Sequence, residues 1–214
     1  MSEEWLARTF HRIGHMAIQP ETKSLCSSKS LLRAILRRSR SDFLLDMGVA
    51  NRNGATAHIL TALVPIIASN EMVAGYASQA DEPDVLPLLA DRHKLGRPVS
   101  LPHVRDGKME FVSWSPAHPL VPGYAGIRVP AYGSSICEPS VLLVPLLGFD
   151  RHGGRLGQGG GFYDRFLERR PAAKRIGVAW SIQEVEEVPR EPWDIPLTAI
   201  VTERETIMIK PSPS

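Results

Sequence analysis

The sequence predicts one α/β domain of three layers, α/β/α, with helices on both faces of a mainly parallel central sheet. Three observations carry this. Short apolar runs of strand length alternate with amphipathic stretches of helical length. The most apolar run, Val141 to Phe149, is continuous, as a strand buried on both faces requires. The chain has 214 residues, 43% of them apolar, enough for one sizeable core at about 150 residues per domain.

In chain order, residues 1–28 show weak periodicity and end in a polar run, Pro20 to Ser28. They are read as an N-terminal extension preceding a domain over 29–214. From Ser30, Leu31, Leu32, Ile35, Leu36, Phe43 and Leu44 recur at helical spacing. Lys29, Arg33, Arg37, Arg38 and Arg40 fill its other faces, where a solvated helix surface is as good a reading as a binding role. A second helix is expected over Ala55 to Ala68. Met72 to Tyr76 reads as a short buried strand, 77–84 as a loop, Val85 to Lys94 as a helix and Gly96 to Pro102 as the next strand. Strand, helix, strand implies a parallel crossover.

Glu110 to Trp114 alternates as an edge strand does. Pro116 to Pro139 is rich in proline and glycine and predicts little regular structure. Pro145 limits regular pairing inside the run from Val141 to Phe149. A helix over Tyr163 to Arg170, a strand over Arg175 to Trp180 and a hairpin of Ala199 to Thr202 with Thr206 to Ile209 complete the chain.

Composition excludes several classes. Twenty-five basic residues stand against 23 acidic ones, a formal charge of +2, so no nucleic-acid partner driven by phosphate neutralisation is expected. The two cysteines, Cys26 and Cys137, are too few for a disulfide scaffold and point to a reducing compartment. No apolar run approaches the roughly 18 residues of a membrane span, and the two longest contain Pro65 and Pro145. Glu3 and Glu4 open a terminus with no basic and apolar signal regions, so the expected location is the cytoplasm.

The chemistry concentrates between the most apolar strand and the following helix, in Phe149 to Arg165. Glycines at 153, 154, 157, 159, 160 and 161 permit positive φ and can present successive N–H groups to an anion. Arg155, Arg165 and the start of the next helix add positive potential, which suits a polyphosphate. A tight structural connection is the other reading of such a loop. Neither common phosphate signature fits: no Lys-Ser or Lys-Thr follows the glycines, and Phe162 stands where a dinucleotide pattern beginning at Gly157 needs glycine.

As a whole, Val144-Pro-Leu-Leu-Gly-Phe-Asp-Arg-His-Gly-Gly-Arg-Leu-Gly-Gln-Gly-Gly-Gly-Phe-Tyr-Asp-Arg165 resembles the signature of the 5-formyltetrahydrofolate cyclo-ligase family, the methenyltetrahydrofolate synthetases. Lys29-x-x-Leu32-Arg33, Glu82-Pro-Asp84, Trp114 and Asp194-Ile-Pro-Leu with Thr202-Glu203 follow in the family's order, and the resemblance spans roughly 29–205. It implies a cyclo-ligase-like fold and an ATP- and Mg²⁺-dependent closure of 5-formyltetrahydrofolate to the 5,10-methenyl form. ATP would be held by Lys29, Arg33, Arg155, Leu156, Gly157, Gln158, Gly159, Gly160, Gly161, Phe162 and Tyr163, with Lys29, Arg33 and Arg155 also catalytic. Asp164 and Asp194 would hold the metal, and Glu82, Tyr76, Ala77, Trp114 and Tyr163 the folate.

Each assignment has a plainer counterpart: a surface lysine for Lys29, a helix-start acid for Asp164, a turn residue for Asp194, core packing for Tyr76 and Trp114. The implied partners are ATP and a folate, with no membrane, acting on a monomer. Gln158 and Phe162 stand where tyrosines are frequent in the family, Val129 where an acid is, and Thr198 where an aspartate is. Two other readings use the same residues: a module that binds nucleotide, folate or RNA without turnover, and an ATP-dependent phosphotransferase with another small substrate.

Overall fold

The structure, a computed structural model, describes residues 25–131 and 135–210. Most of the expected N-terminal extension therefore lies outside the described residues. The first helix, α1 (Leu25–Leu63), begins ahead of the expected boundary at residue 29 and joins the two helices expected from Ser30 and Ala55. They meet at Gly48, whose φ of 71° and ψ of 163° lie in a region essentially open to glycine alone. The first stretch buries Leu36 and Phe43, the second Ile59 and Leu63.

A short strand, β1 (Val73–Ala74), leads through the loop before α2 (Leu86–Lys94) to β2 (Val99–Arg105). β1 and β2 pair in parallel, Val73 opposite Val99, as the crossover requires. A tight turn with positive φ at Asp106 and Gly107 joins β2 to the antiparallel β3 (Lys108–Ser113). The stretch expected to be irregular holds a small hairpin of β4 (Leu120–Pro122) with β5 (Arg128–Pro130) and a further strand, β6 (Ile136–Cys137). β6 pairs outside β3, so β3 is not the edge its alternation suggested.

The long apolar run divides at its proline. β7 (Val141–Pro145) belongs to the sheet; beyond it the chain turns away, and β8 (Gly148–Phe149) pairs with β9 (Arg155–Leu156). Then come α3 (Phe162–Glu168), β10 (Lys174–Val178), β11 (Ala199–Val201) and β12 (Thr206–Met208). The eight-stranded sheet runs β12-β11-β10-β7-β1-β2-β3-β6. Its five middle strands, β11 to β2 in that order, are parallel, and the outer ones join antiparallel.

Alternate residues of β7 build the two cores. Val141 and Leu143 pack with Ile59 and Leu63 of α1 and Leu88 and Leu89 of α2. Leu142 and Val144 face Phe166 and Leu167 of α3. This is the three-layer arrangement expected from the sequence. The chain leaves β1 toward β2 on one side and returns at β7 to continue toward β10 on the other. That reversal puts a crevice outside the carboxyl ends of β1 and β7, where open α/β sheets bind ligands.

Candidate active site

A cavity of about 670 Å³ opens at this switch point. Tyr76 and Ala77, just beyond β1, and Pro145, at the end of β7, form part of its wall. Lys29, Arg33 and Arg37, at spacings of four residues, line it from one face of α1. Residues 155–161, which touch α1, and α3 continue the wall.

The phosphate-side residues are tied together in pairs. Lys29 Nζ lies 2.6 Å from Asp194 Oδ2, which also accepts the Glu191 N–H at 2.8 Å. Arg33 Nε donates to the Gly157 carbonyl at 2.9 Å, and Arg37 Nη2 to Gln158 Oε1 at 2.8 Å. Gln158, one of the departures from the family pattern, thereby anchors the glycine-rich loop to α1. The loop turns through Gly159 at φ 106°, directly under the Arg33 guanidinium. Arg155 Nη2 donates to Asp164 Oδ1, which also accepts the Ile195 N–H at 3.4 Å. The Arg155 Nε is buried with no partner among the described residues, and so is the Tyr163 hydroxyl. Two buried polar groups without a partner among the described residues thus lie in one cavity wall.

The other half is apolar with one buried acid. Pro102, Val104 and Met109 contribute from the β2–β3 hairpin, Ile127 and Val129 from the β5 side. Val129 thus supplies part of a hydrophobic wall. Glu82 is buried and accepts the Gln79 N–H at 2.9 Å. Burial pushes its pKa up, against the opposing pull of that bond and of Arg40. Burial likewise raises Tyr76, whose hydroxyl donates to the Pro83 carbonyl at 2.8 Å, and Tyr163. Phe162 packs edge-on against Tyr124, centroids 5.4 Å apart, at the rim.

All candidate residues but one meet in this cavity. Trp114 packs in the core beside Val99 and Leu101 and is not among the lining residues; its indole Nε1 is buried with no partner among the described residues. Beside the apolar lining, Arg37 and Trp193 line the cavity and Arg40 lies behind it, and none of them was among the expected site residues. For Arg37 and Arg40 a solvated helix surface was as good a reading as a binding role; Arg40 is only 2% exposed and pairs with Asp81 at 2.7 Å. Their spacing of eight and eleven from Lys29 put them on its face of the helix, the signal that was available. Trp193, 66% exposed on the cavity wall beside Asp194, had none.

Asp164 and Asp194 are mostly buried, and among the described residues no hydrogen bond falls on Asp164 Oδ2 or Asp194 Oδ1. No group of three or more His, Cys, Asp and Glu able to hold a metal occurs among the described residues. A cation caged by protein alone does not fit. Mg²⁺ does, since it keeps waters and takes one or two carboxylates beside phosphate oxygens.

The model of the 5-formyltetrahydrofolate cyclo-ligase family matches residues 26–203. The chain belongs to that family. The 5-formyltetrahydrofolate cyclo-ligase of Escherichia coli K12 is 37% identical over 147 residues, 64% of this chain and 81% of that enzyme. The one from Mycolicibacterium smegmatis is 33% identical over 191 residues, 85% and 96% of the two chains. The solved 5,10-methenyltetrahydrofolate synthetase of Aquifex aeolicus superposes with a TM-score of 0.72 at 31% identity, covering 87% of this chain and 95% of that one. The cyclo-ligase match contains every candidate residue from Lys29 to Asp194. Among the described residues no helix is long and apolar enough to cross a membrane.

Proposed function

We propose that this cyclo-ligase family member converts 5-formyltetrahydrofolate to 5,10-methenyltetrahydrofolate, with ATP becoming ADP and phosphate. The observation that carries the reading is one cavity with a cationic, glycine-lined half and an apolar half holding a buried acid. The substrate poses a definite problem: its N5-formyl carbon is amide-like and its oxygen a poor leaving group. In the reaction the formyl oxygen attacks the γ-phosphorus of ATP and ADP leaves. N10 then adds to the activated carbon and loses its proton. Departure of phosphate leaves the bridged cation. Lys29, Arg33 and Arg155 neutralise the charge that develops on the phosphoryl oxygens, and the site orients the two reactants.

Asp164 and Asp194 would hold Mg²⁺ through the oxygens their present partners leave open; the ion supplies charge neutralisation and orientation of the phosphates. The pterin ring presents an amino group and a ring N–H to the Glu82 carboxylate, with Tyr76, Ala77 and Tyr163 against it.

Mixing protein, Mg·ATP and 5-formyltetrahydrofolate should raise the near-ultraviolet absorbance of the methenyl product, dependent on both ATP and Mg²⁺. No rise, with ATP still protecting the fold against heating, would favour the binding module. Phosphate release from other amide-like substrates but not this one would favour the phosphotransferase. Asp164→Asn should lower Mg²⁺-dependent turnover by about 100-fold or more, as removal of one electrostatic contact at a transferring group does.

A further inference from the structure

We propose that Arg40 is a positioning residue for the folate-side acid: it ties Glu82 to the same helix that carries Lys29 and Arg33. The inference rests on the proposed contact between Glu82 and the folate. Arg40 follows Lys29 by eleven residues, three turns along one face of α1. Its Nε and Nη2 reach Asp81 Oδ2 at 2.9 and 2.7 Å, its Nη1 lies 3.9 Å from Glu82 Oε1, and Nη1 also donates to the Leu146 carbonyl at 3.5 Å. Leu146 directly follows β7. One guanidinium thus connects the phosphate-side helix, the folate-side loop and the strand at the switch point.

The loop is gripped from the second stretch of α1 as well. Arg52 Nη2 donates to the carbonyls of Ala80 and Glu82, and the Trp180 indole donates to the Asp81 carbonyl at 3.0 Å. Stability alone does not account for a charge in this place, because a hydrophobic side chain of similar volume generally serves at least as well as a buried ion pair. What a guanidinium adds is orientation of two carboxylates and a positive charge beside Glu82. The charged and titratable groups facing Glu82 are Arg40 and Arg52 from α1, Asp81 in its own loop with Asp84 just beyond, Tyr76 at the end of β1 and Tyr163 from α3. Arg40 holds the Glu82 pKa down and Asp81 holds it up.

Those opposite signs make the test. On the full chain, kcat/KM for 5-formyltetrahydrofolate is followed against pH at saturating Mg·ATP for Arg40→Met and Asp81→Asn, with Glu82→Gln as reference. The expected result for Arg40→Met is a folate KM raised about tenfold with the ATP KM within about twofold. Its acid limb should move up by about one pH unit, and that of Asp81→Asn should move down. Arg40→Lys should restore part of both effects.

A folded Arg40→Met with an unmoved limb, or with both KM values raised equally, overturns the proposal. Should Arg40→Met fail to fold, Asp81→Asn decides it: a downward shift supports, and no shift or an upward one overturns. Glu82→Gln separates the two failures. With it impaired for folate and Arg40→Met normal, only the Arg40 role falls; with it unimpaired, the Glu82 contact falls and takes Arg40 with it.

Discussion

Asp150 has no exposed surface, and every recorded contact of its carboxylate is a donor. Oδ1 accepts the N–H groups of His152 and Gly154 at 2.9 and 2.8 Å and Arg190 Nη2 at 2.8 Å; Oδ2 accepts the Val188 N–H at 3.0 Å. These bonds fix the turn between β8 and β9, and so the place from which Arg155 enters the cavity. Burial alone would raise this pKa, but the Val188 and Gly154 N–H groups and the Arg190 charge outweigh it and hold it below the usual carboxylate range. A depressed carboxylate stabilises the fold above its unfolded pKa of about 3.9, and the contribution is lost as pH falls through the folded value. Asp150→Asn should therefore cost about 2–4 kcal/mol at neutral pH, its amide facing donors on every side. In denaturant unfolding, the gap from the natural chain should narrow steadily below about pH 4; a gap that stayed constant would sink this account. The residue was visible in the signature string, yet its job was not, because Val188 and Arg190 stand 38 and 40 residues downstream. Lys29, Arg33, Arg155, Asp164 and Asp194 were legible as a set because their order and spacing match a family. Trp114 was not separable from core, since a buried aromatic satisfies either role.

The elements were read well where periodicity decides and poorly where pairing does. Ala199 to Thr202 and Thr206 to Ile209 were expected as a hairpin and form one, β11 against β12. Local pattern could not reveal that β6 covers β3, because a two-residue strand carries no periodicity, nor that Pro145 ends β7 rather than merely disturbing it. Two helices were expected where α1 stands; that they run into each other at Gly48 was hidden, since the apolar spacing lapses between Leu44 and Ala55. Gly48 and Gly54 now separate the two meanings of glycine. A Cβ at either meets nothing within 4 Å, but only Gly48 has positive φ. Gly48→Ala should destabilise by about 1–3 kcal/mol through backbone strain alone. Gly54→Ala should stabilise by about 0.5–1 kcal/mol, as alanine does in a helix interior. Thermal melts should move in opposite directions, and Gly48→Ala matching the natural chain would mean that α1 does not need its kink.

At the scale of the whole molecule, the switch point between β1 and β7 gives one cavity two chemically different halves, because the chain brings α1 and the glycine-rich loop to one part of it and the β2–β3 hairpin to another. Sheet order of this kind is set by which parallel partners find each other across the core, so the three layers were legible and the order was not. The charges at the cationic end of the cavity are paired with acids: Lys29 with Asp194 and Arg155 with Asp164. A nucleotide must take the cations while a metal takes the carboxylates, so ATP and Mg²⁺ should assist each other here. A ligand at about 100 times its Kd stabilises by about 2.7 kcal/mol, several degrees in melting temperature for a chain this size. For the natural chain, ATP with Mg²⁺ should therefore raise the melting temperature by clearly more than ATP with a chelator. In Asp194→Asn the lysine is released and one metal contact is gone, so ATP with chelator should stabilise at least as much as before, while added Mg²⁺ contributes little further. An undiminished Mg²⁺ increment in that variant would remove Asp194 from the metal site and leave it only the task of holding Lys29.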